Sequence, residues 1–250
     1  MLPVMVNPLI LNLQRFVRLS EDDRAAIERL KQAPLLEAPA RSDLIREGDN
    51  PSVVRLMASG WACRYKDLPD GRRQIVGLFI PGDFCDLNVY ILQRMDHSLG
   101  AITPVRYYAI PPELLESVAT AHPRVGQALL WHELVTSSVQ REWLLNIGQR
   151  SARERLAHLL VEMYYRTRTV GLTKGYRCEF PLTQNDLAEA TGLTSVHINR
   201  TLQDLRREGL IELERKALTI LDFEGLKDMA LFNSNYLHLD REGRHLDANG

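Results

Sequence analysis

The spacing of apolar positions changes three times along the chain, and each change marks a different kind of element. Ser20 with Asp23, followed by Ala25, Ala26, Ile27 and Leu30, is a capping box that opens a helix over about 21–31. Residues 1–13 are apolar without the basic start and small-residue cleavage site of a secretory signal, so they read as a short helix or arm that packs on something. From 34 to 110 the texture becomes short apolar pieces broken by Gly48-Asp49, Ser59-Gly60, Asp70-Gly71, Pro81-Gly82 and Thr103-Pro104, the rhythm of a many-stranded antiparallel domain. Pro69-Asp70-Gly71 supplies a pre-set φ and a residue free to take positive φ, as a tight hairpin requires. Pro111-Pro112 then opens a helical stretch.

Beyond it, 123–148 carries apolar residues on more than one face, among them Val125, Leu129, Leu130, Leu134, Val135, Trp143, Leu144 and Ile147. A long helix apolar on two faces needs cover on both. Its own β domain on one side and a partner's copy on the other supply that cover, with Val135 at the middle of the seam; burial inside a single two-layer domain is the alternative. Residues 151–167 predict another helix with Leu156, Leu159, Leu160 and Met163 inward, and 241–250 read as a polar tail.

The 33 residues from Pro181, PLTQNDLAEATGLTSVHINRTLQDLRREGLIEL, carry the most chemistry. Thr183 caps a helix with Leu187, Ala188 and Ala190, Gly192 sits where a turn needs a left-handed residue, and Thr194 caps a second helix with Val196 or Ile198, Leu202 and Leu205 inward. Two short helices around a glycine turn make a helix-turn-helix. The second helix presents Ser195, Val196, Asn199 and Arg200 near its start, where a recognition helix meets base edges. Thr183, Gln184, Thr194 and His197 complete the set expected to face DNA. Leu210-Ile211 and Leu218-Thr219-Ile220 then bracket a hairpin, or wing, whose tip offers Arg215 and Lys216 to phosphate.

Composition changes this picture little. At 45% hydrophobic and 25% charged, the 250 residues describe an ordinary globular chain, and no apolar run approaches the roughly 20 residues of a membrane span. The 31 basic and 32 acidic residues leave a net charge of −1, yet residues 150–221 hold 12 basic and 9 acidic ones. Three scattered cysteines without a CxxC pair disfavour disulfides and zinc knuckles, which fits a reducing cytoplasm.

The order of β-rich stretch, long helix and winged helix-turn-helix, with Gly48-Asp49, Ser59-Gly60 and Pro81-Gly82-Asp83-Phe84 in the first part, resembles the Crp/Fnr superfamily of bacterial transcription regulators over roughly 20–222. The resemblance implies an α+β fold: an N-terminal β-roll like the cyclic-nucleotide-binding domain (residues 1–122), a dimerisation helix (123–149), a winged helix-turn-helix (150–222) and an extension with tail (223–250). It implies a homodimer on palindromic double-stranded DNA, with RNA polymerase as a further partner and no membrane. Arg200 falls where the family's guanine-contacting arginine stands, and Val196 where a glutamate is frequent.

The sensor departs from the family's best-known pattern. At unchanged spacing Leu87 stands in the place of the ribose-binding glutamate and His97 in that of the phosphate-binding arginine, with Asp86 and Ser98 beside them as the remaining pocket candidates. A neutral imidazole does not replace a permanently charged bidentate fork, so gating by cyclic AMP is not expected and the effector is an unknown small molecule. Two alternatives stay open: a haem or other small molecule sensed by a member of the same family, with His97, Cys63, Cys85 or Met95 as axial candidates, and a cyclic nucleotide in an atypical pocket. Three cysteines are too few for an iron-sulfur cluster. Only His97 of the seven histidines lies in the β segment, so a cupin-type metal site is not expected either. With no nucleophile elbow, P-loop or HExxH motif, neither catalytic residues, metal nor cofactor is predicted.

Overall fold

The computed structural model describes residues 7–87 and 89–239. The first six residues of the apolar start and the tail expected over 241–250 lie outside the described residues. Helix α1 (Pro8–Leu13) begins after Asn7, whose side chain accepts from the Leu9 amide at 3.0 Å. Helix α2 (Glu21–Arg29) starts at the expected box: Asp23 N donates to Ser20 Oγ at 3.1 Å and Ser20 N donates to Asp23 Oδ2 at 2.9 Å.

Strands β1 (Leu35–Ala38), β2 (Asp43–Ile45), β3 (Val54–Ser59), β4 (Ala62–Asp67), β5 (Arg73–Phe79), β6 (Phe84–Cys85), β7 (Ser98–Ala101) and β8 (Val105–Ile110) form two four-stranded sheets, ordered β1-β8-β3-β6 and β2-β7-β4-β5. Alternation along β3 sorts the core. Val54 and Leu56 join a cluster with Leu9, Leu13, Ile27 and Leu30, with Leu115 of α3 (Pro112–Ala121), and with Val125, Ala128 and Leu129 of α4 (Pro123–Gln149). Met57 faces the other way, toward Ile45, Ala62, Phe79, Cys85, Leu99 and Tyr107 between the sheets. The same alternation turns Arg55 and, from Ala62, Arg64 to that inner side.

The turn before β6 shows why its glycine is needed. Gly82 has φ +93°, and a Cβ there would lie 2.8 Å from backbone and 2.9 Å from side chain of Pro8. Asp83 Oδ2 accepts from Ile80 N at 3.0 Å, and Asn12 Nδ2 donates to Gly82 O and Asp83 Oδ1, both at 3.3 Å. The apolar start thus has its partner: α1 seals this turn.

The chain divides into two compact units, one holding the residues up to Arg64, Leu78–Val139 and the chain from Ser234, the other Tyr65–Gly77 and Gln140–Asn233. The second contains α5 (Ala152–Thr169), β9 (Thr173–Lys174), β10 (Arg177–Glu179), α6 (Gln184–Thr191), α7 (Ser195–Arg207), β11 (Ile211–Glu214), β12 (Ala217–Ile220) and α8 (Phe223–Met229), with a sheet ordered β11-β12-β10-β9. Leu156, Leu159, Leu160 and Met163 of α5 are buried, as their spacing predicts. The extension packs rather than trails: Leu226 and Ala230 are fully buried, and Tyr165 stacks on Phe232 with centroids 5.3 Å apart. Among the described residues no helix is long and apolar enough to cross a membrane.

Candidate nucleic-acid interface and ligand pocket

The helix-turn-helix is built from its caps. Thr183 Oγ1 accepts from Asp186 N at 3.2 Å while Asp186 Oδ2 accepts from Thr183 N at 2.7 Å, which starts α6. Gly192 ends it at φ +66°, a left-handed conformation that glycine adopts without penalty. Thr194 Oγ1 then accepts from His197 N at 3.2 Å and starts α7. Ile198, Thr201, Leu202 and Leu205 are the inward positions of α7. Val196 is 79% exposed, so of the two residues that the spacing offered, Ile198 fills the core.

The opposite face of α7 carries Ser195, Val196, His197, Asn199 and Arg200, all exposed. Two side-chain bonds tie it to the start of α6: Ser195 Oγ to Asn185 Oδ1 at 3.1 Å and Asn199 Nδ2 to Gln184 Oε1 at 3.3 Å. Of the three arginines on α7, Arg206 donates to Leu213 O at 2.9 Å and Arg207 pairs with Asp204. Arg200 has no ion pair or hydrogen bond among the described residues and is exposed on this face. At the wing, Arg215 and Lys216 take φ of +48° and +62° in the two-residue turn between β11 and β12, which leaves both side chains exposed at the tip.

Two residues brace α5 beneath these elements. Glu162, fully buried, accepts from Trp143 Nε1 at 3.0 and 3.1 Å, and Arg155 donates from Nη1 to Thr191 O at 2.7 Å and from Nη2 to Ile147 O at 2.8 Å. The end of α4 and the end of α6 are therefore both fastened to α5. Along α4, Leu130, Leu134 and Leu144 are 62%, 55% and 73% exposed, at positions that continue one heptad through Ser137 and Arg141. Val135 lies elsewhere: it packs against the core of its own chain. Val135, expected at the seam, thus faces its own core while its neighbour Leu134 is exposed, because a step of one along a helix turns the side chain by 100°.

The candidate pocket is filled from within. Asp86, at φ +62°, turns its carboxylate inward, where Arg64 Nη2 donates to Oδ1 and His97 Nε2 bonds Oδ2 at 2.8 Å. His97 Nδ1 bonds Asp96 Oδ1 at 2.6 Å. Ser98 Oγ accepts from Glu47 N at 2.9 Å, and Leu87 is buried in the apolar cluster with α1 and α2. Burial alone would raise the Asp86 carboxyl, but the His97 bond and the Arg64 charge hold it below its ordinary value. Burial likewise opposes a charged His97, yet the bond and charge of Asp86 outweigh it and raise the imidazole above its usual value.

His97, read from the sequence as a neutral imidazole, is instead buried between the carboxylates of Asp86 and Asp96, which favour its charged form. Asp86, a pocket candidate, is consumed by Arg64 and His97. Both ring nitrogens of His97 are engaged, which leaves none for haem iron. Cys85 is wholly buried with its thiol pushed well up by burial, and Met95 is buried in the apolar cluster between the sheets. Among the described residues no three His, Cys, Asp or Glu are placed to hold a metal ion.

Residues 35–122 match the cyclic nucleotide-binding domain family, and residues 154–229 the Crp-like helix-turn-helix domain family. The chain is 30% identical over 217 residues to the transcriptional activator protein FnrL of Cereibacter sphaeroides, covering 85% of this chain and 86% of that one. The chain belongs to the Crp/Fnr family. It is a DNA-binding transcription regulator, and the family is one of regulators rather than enzymes. It is also 32% identical over 206 residues to the transcriptional activatory protein AadR of Rhodopseudomonas palustris, covering 80% and 82% of the two chains. The structure of FixK2 from Bradyrhizobium japonicum shares the fold, with a TM-score of 0.71 at 23% identity over 79% of this chain and 96% of that one.

Sequence reasoning missed the pocket's other basic side chain, Arg64, and one further acid, Glu133. Asp96 faces His97, and Glu133 of α4 accepts from the Leu87 amide; burial, then the charge of Asp86, raise the Glu133 carboxyl above its ordinary value. A signal for Arg64 was present. Counted in twos from the inward Ala62, an arginine falls on the core side of β4, where a charge demands a partner.

Proposed function

We propose that this Crp/Fnr regulator works as a homodimer on an inverted-repeat operator, with Arg200 as its main base reader, and that it does so without a cyclic nucleotide. Residues 150–222 carry the DNA contacts: Ser195, Val196, His197, Asn199 and Arg200 toward base edges, Thr183, Gln184 and Thr194 toward the flanking backbone, and Arg215 and Lys216 toward phosphate beyond. The observation that carries this reading is the unpaired Arg200 at the centre of an exposed, well-braced helix face. A free guanidinium bridges guanine O6 and N7 without first breaking a bond of its own. Dimerisation is supported by the exposed leucines of α4 at heptad spacing, which two copies would bury against each other. Residues 1–122 form the sensor part, and the packed extension braces the DNA-binding part. The named relatives are activators, which supports activation through RNA polymerase in the cytoplasm.

The test is operator selection from random duplexes, followed by titration of the selected site and of its isolated half. Two protomers bound cooperatively to an inverted repeat, with the half-site weaker by about tenfold or more, is the expected result. Equal affinity for selected and random duplexes would refute it.

A further inference from the structure

Two buried basic side chains, Arg64 and His97, converge on one buried carboxylate in the domain that matches the cyclic nucleotide-binding family. The side chains of all three are about 11% exposed or less, and the guanidinium of Arg64 also lies 5.3 Å from the Phe79 ring centroid. The carboxylate comes from a residue at φ +62°, a left-handed backbone that is uncommon for non-glycine residues and turns the side chain inward here. Among the described residues Arg64 Nε is buried with no hydrogen-bond partner, and Asp86 is the carboxylate its guanidinium is paired with, with the charge of Glu133 further off. The next residue, Leu87, gives its amide to Glu133 on α4, so the position of Asp86 is tied directly to the long helix.

We infer that Asp86 is a tethered occupant of an anion site in the β-roll: the chain's own carboxylate neutralises Arg64 and His97, fixes Leu87 against α4, and keeps the regulator competent for DNA without a free effector. The inference rests on the DNA-binding reading above and adds the chemistry of the sensor to it. A group attached to the chain is present at a high effective concentration, so a free anion finds the two cations already paired. Removing the Asp86 side chain takes the paired carboxylate from buried Arg64 and leaves His97 with Asp96 alone, a costly state that a small carboxylate relieves. The site is then open to a ligand no larger than the deleted group.

Asp86→Gly is the informative variant, since glycine is at ease at φ +62° and the change deletes a carboxymethyl group the size of acetate. Thermal unfolding of Asp86→Gly and of the wild-type chain is measured in acetate and in chloride at equal ionic strength, with no DNA present. Acetate should raise the midpoint of the variant by about 3 °C or more and leave the wild type unmoved. Operator affinity of the variant should fall about tenfold in chloride and return to within about threefold of the wild type in acetate, with ionic strength held constant because phosphate contacts are salt-sensitive. A variant that binds the operator as the wild type does in chloride, or one that responds to acetate no more than to chloride, overturns the inference. If Asp86→Gly does not fold, the nearly isosteric Asp86→Asn, which keeps the shape and removes the charge, takes its place in the operator assay: wild-type affinity there overturns the inference, and a loss of tenfold or more supports it. Failure of the wild type to bind any operator would instead sink the DNA-reading proposal, while the acetate response, read without DNA, still decides this one.

Discussion

If Arg200 is the base reader proposed above, sequence discrimination is concentrated in one side chain. Arg200→Ala should lose about 1–3 kcal/mol of preference for the selected operator over a random duplex while binding at low salt to random DNA stays close to wild type. Fluorescence anisotropy on both duplexes checks this, and an equal loss on both would assign Arg200 to phosphate or fold. His97 gives a pH dependence whose sign is set by its neighbours. Its pKa is raised from 6.5 in the folded chain, so its contribution to stability is full below about 6.5 and is lost as pH rises through the folded value. The Asp86 pKa is lowered from 3.8, so its contribution holds above about 3.8 and is lost as pH falls through the folded value. Stability of the wild type should therefore decline between neutral and mildly alkaline pH more steeply than that of His97→Gln. Denaturant midpoints across that range, with an NMR titration of the His97 ring, make the comparison.

Among the elements, α4 and the wing separate two uses of surface. Leu134 is exposed and Val135 packs inward, so Leu134→Glu should yield a folded monomer that no longer binds an inverted repeat, whereas Val135→Glu should first cost several kcal/mol of folding stability by burying a charge. Light scattering at micromolar concentration, paired with thermal unfolding, tells them apart. A dimeric Leu134→Glu would place the interface elsewhere. The tip residues Arg215 and Lys216 should behave unlike Arg200: removing either weakens binding to every duplex alike and reduces the slope of log affinity against log salt by about one. The braces on α5 follow the hydrogen-bond rule. Trp143→Phe strips the donor shared by both Glu162 oxygens and should cost about 1–3 kcal/mol, since a fully buried carboxylate is left short of a partner.

For the molecule as a whole, the internal Asp86 pairing should make cyclic nucleotides poor ligands. A cyclic phosphate would have to displace a buried carboxylate from both cations, and Leu87 offers no acceptor to a ribose diol. Calorimetry with cyclic AMP and cyclic GMP should show nothing tighter than the high micromolar range, and neither should change operator affinity. Low-micromolar binding coupled to tighter DNA binding would require Asp86 to leave its place and the pocket to be rebuilt.

Local physics made much of this legible in the sequence. The capping boxes at Ser20 and Thr183, the left-handed Gly192, the α5 core positions and the wing turn all depend on residues within a few positions of one another, so spacing alone places them. The exposed face of α7 follows from the same 3.6-residue period that buries Ile198, Leu202 and Leu205. What spacing could not supply was the meeting of distant charges. Arg64, Asp86, His97 and Glu133 come from three strands or turns and a helix far apart in the chain, and the upward shift of His97 comes chiefly from Asp86, whose approach no local pattern records. The hairpin end from 65 to 77 likewise belongs with the second unit, where Gln74 Nε2 donates to Glu189 O at 2.6 Å. Periodicity is a property of neighbours along the chain, and it determined the elements and their exposed faces; electrostatic pairing depends on distance in space, so only the tertiary structure decided that the pocket neutralises itself.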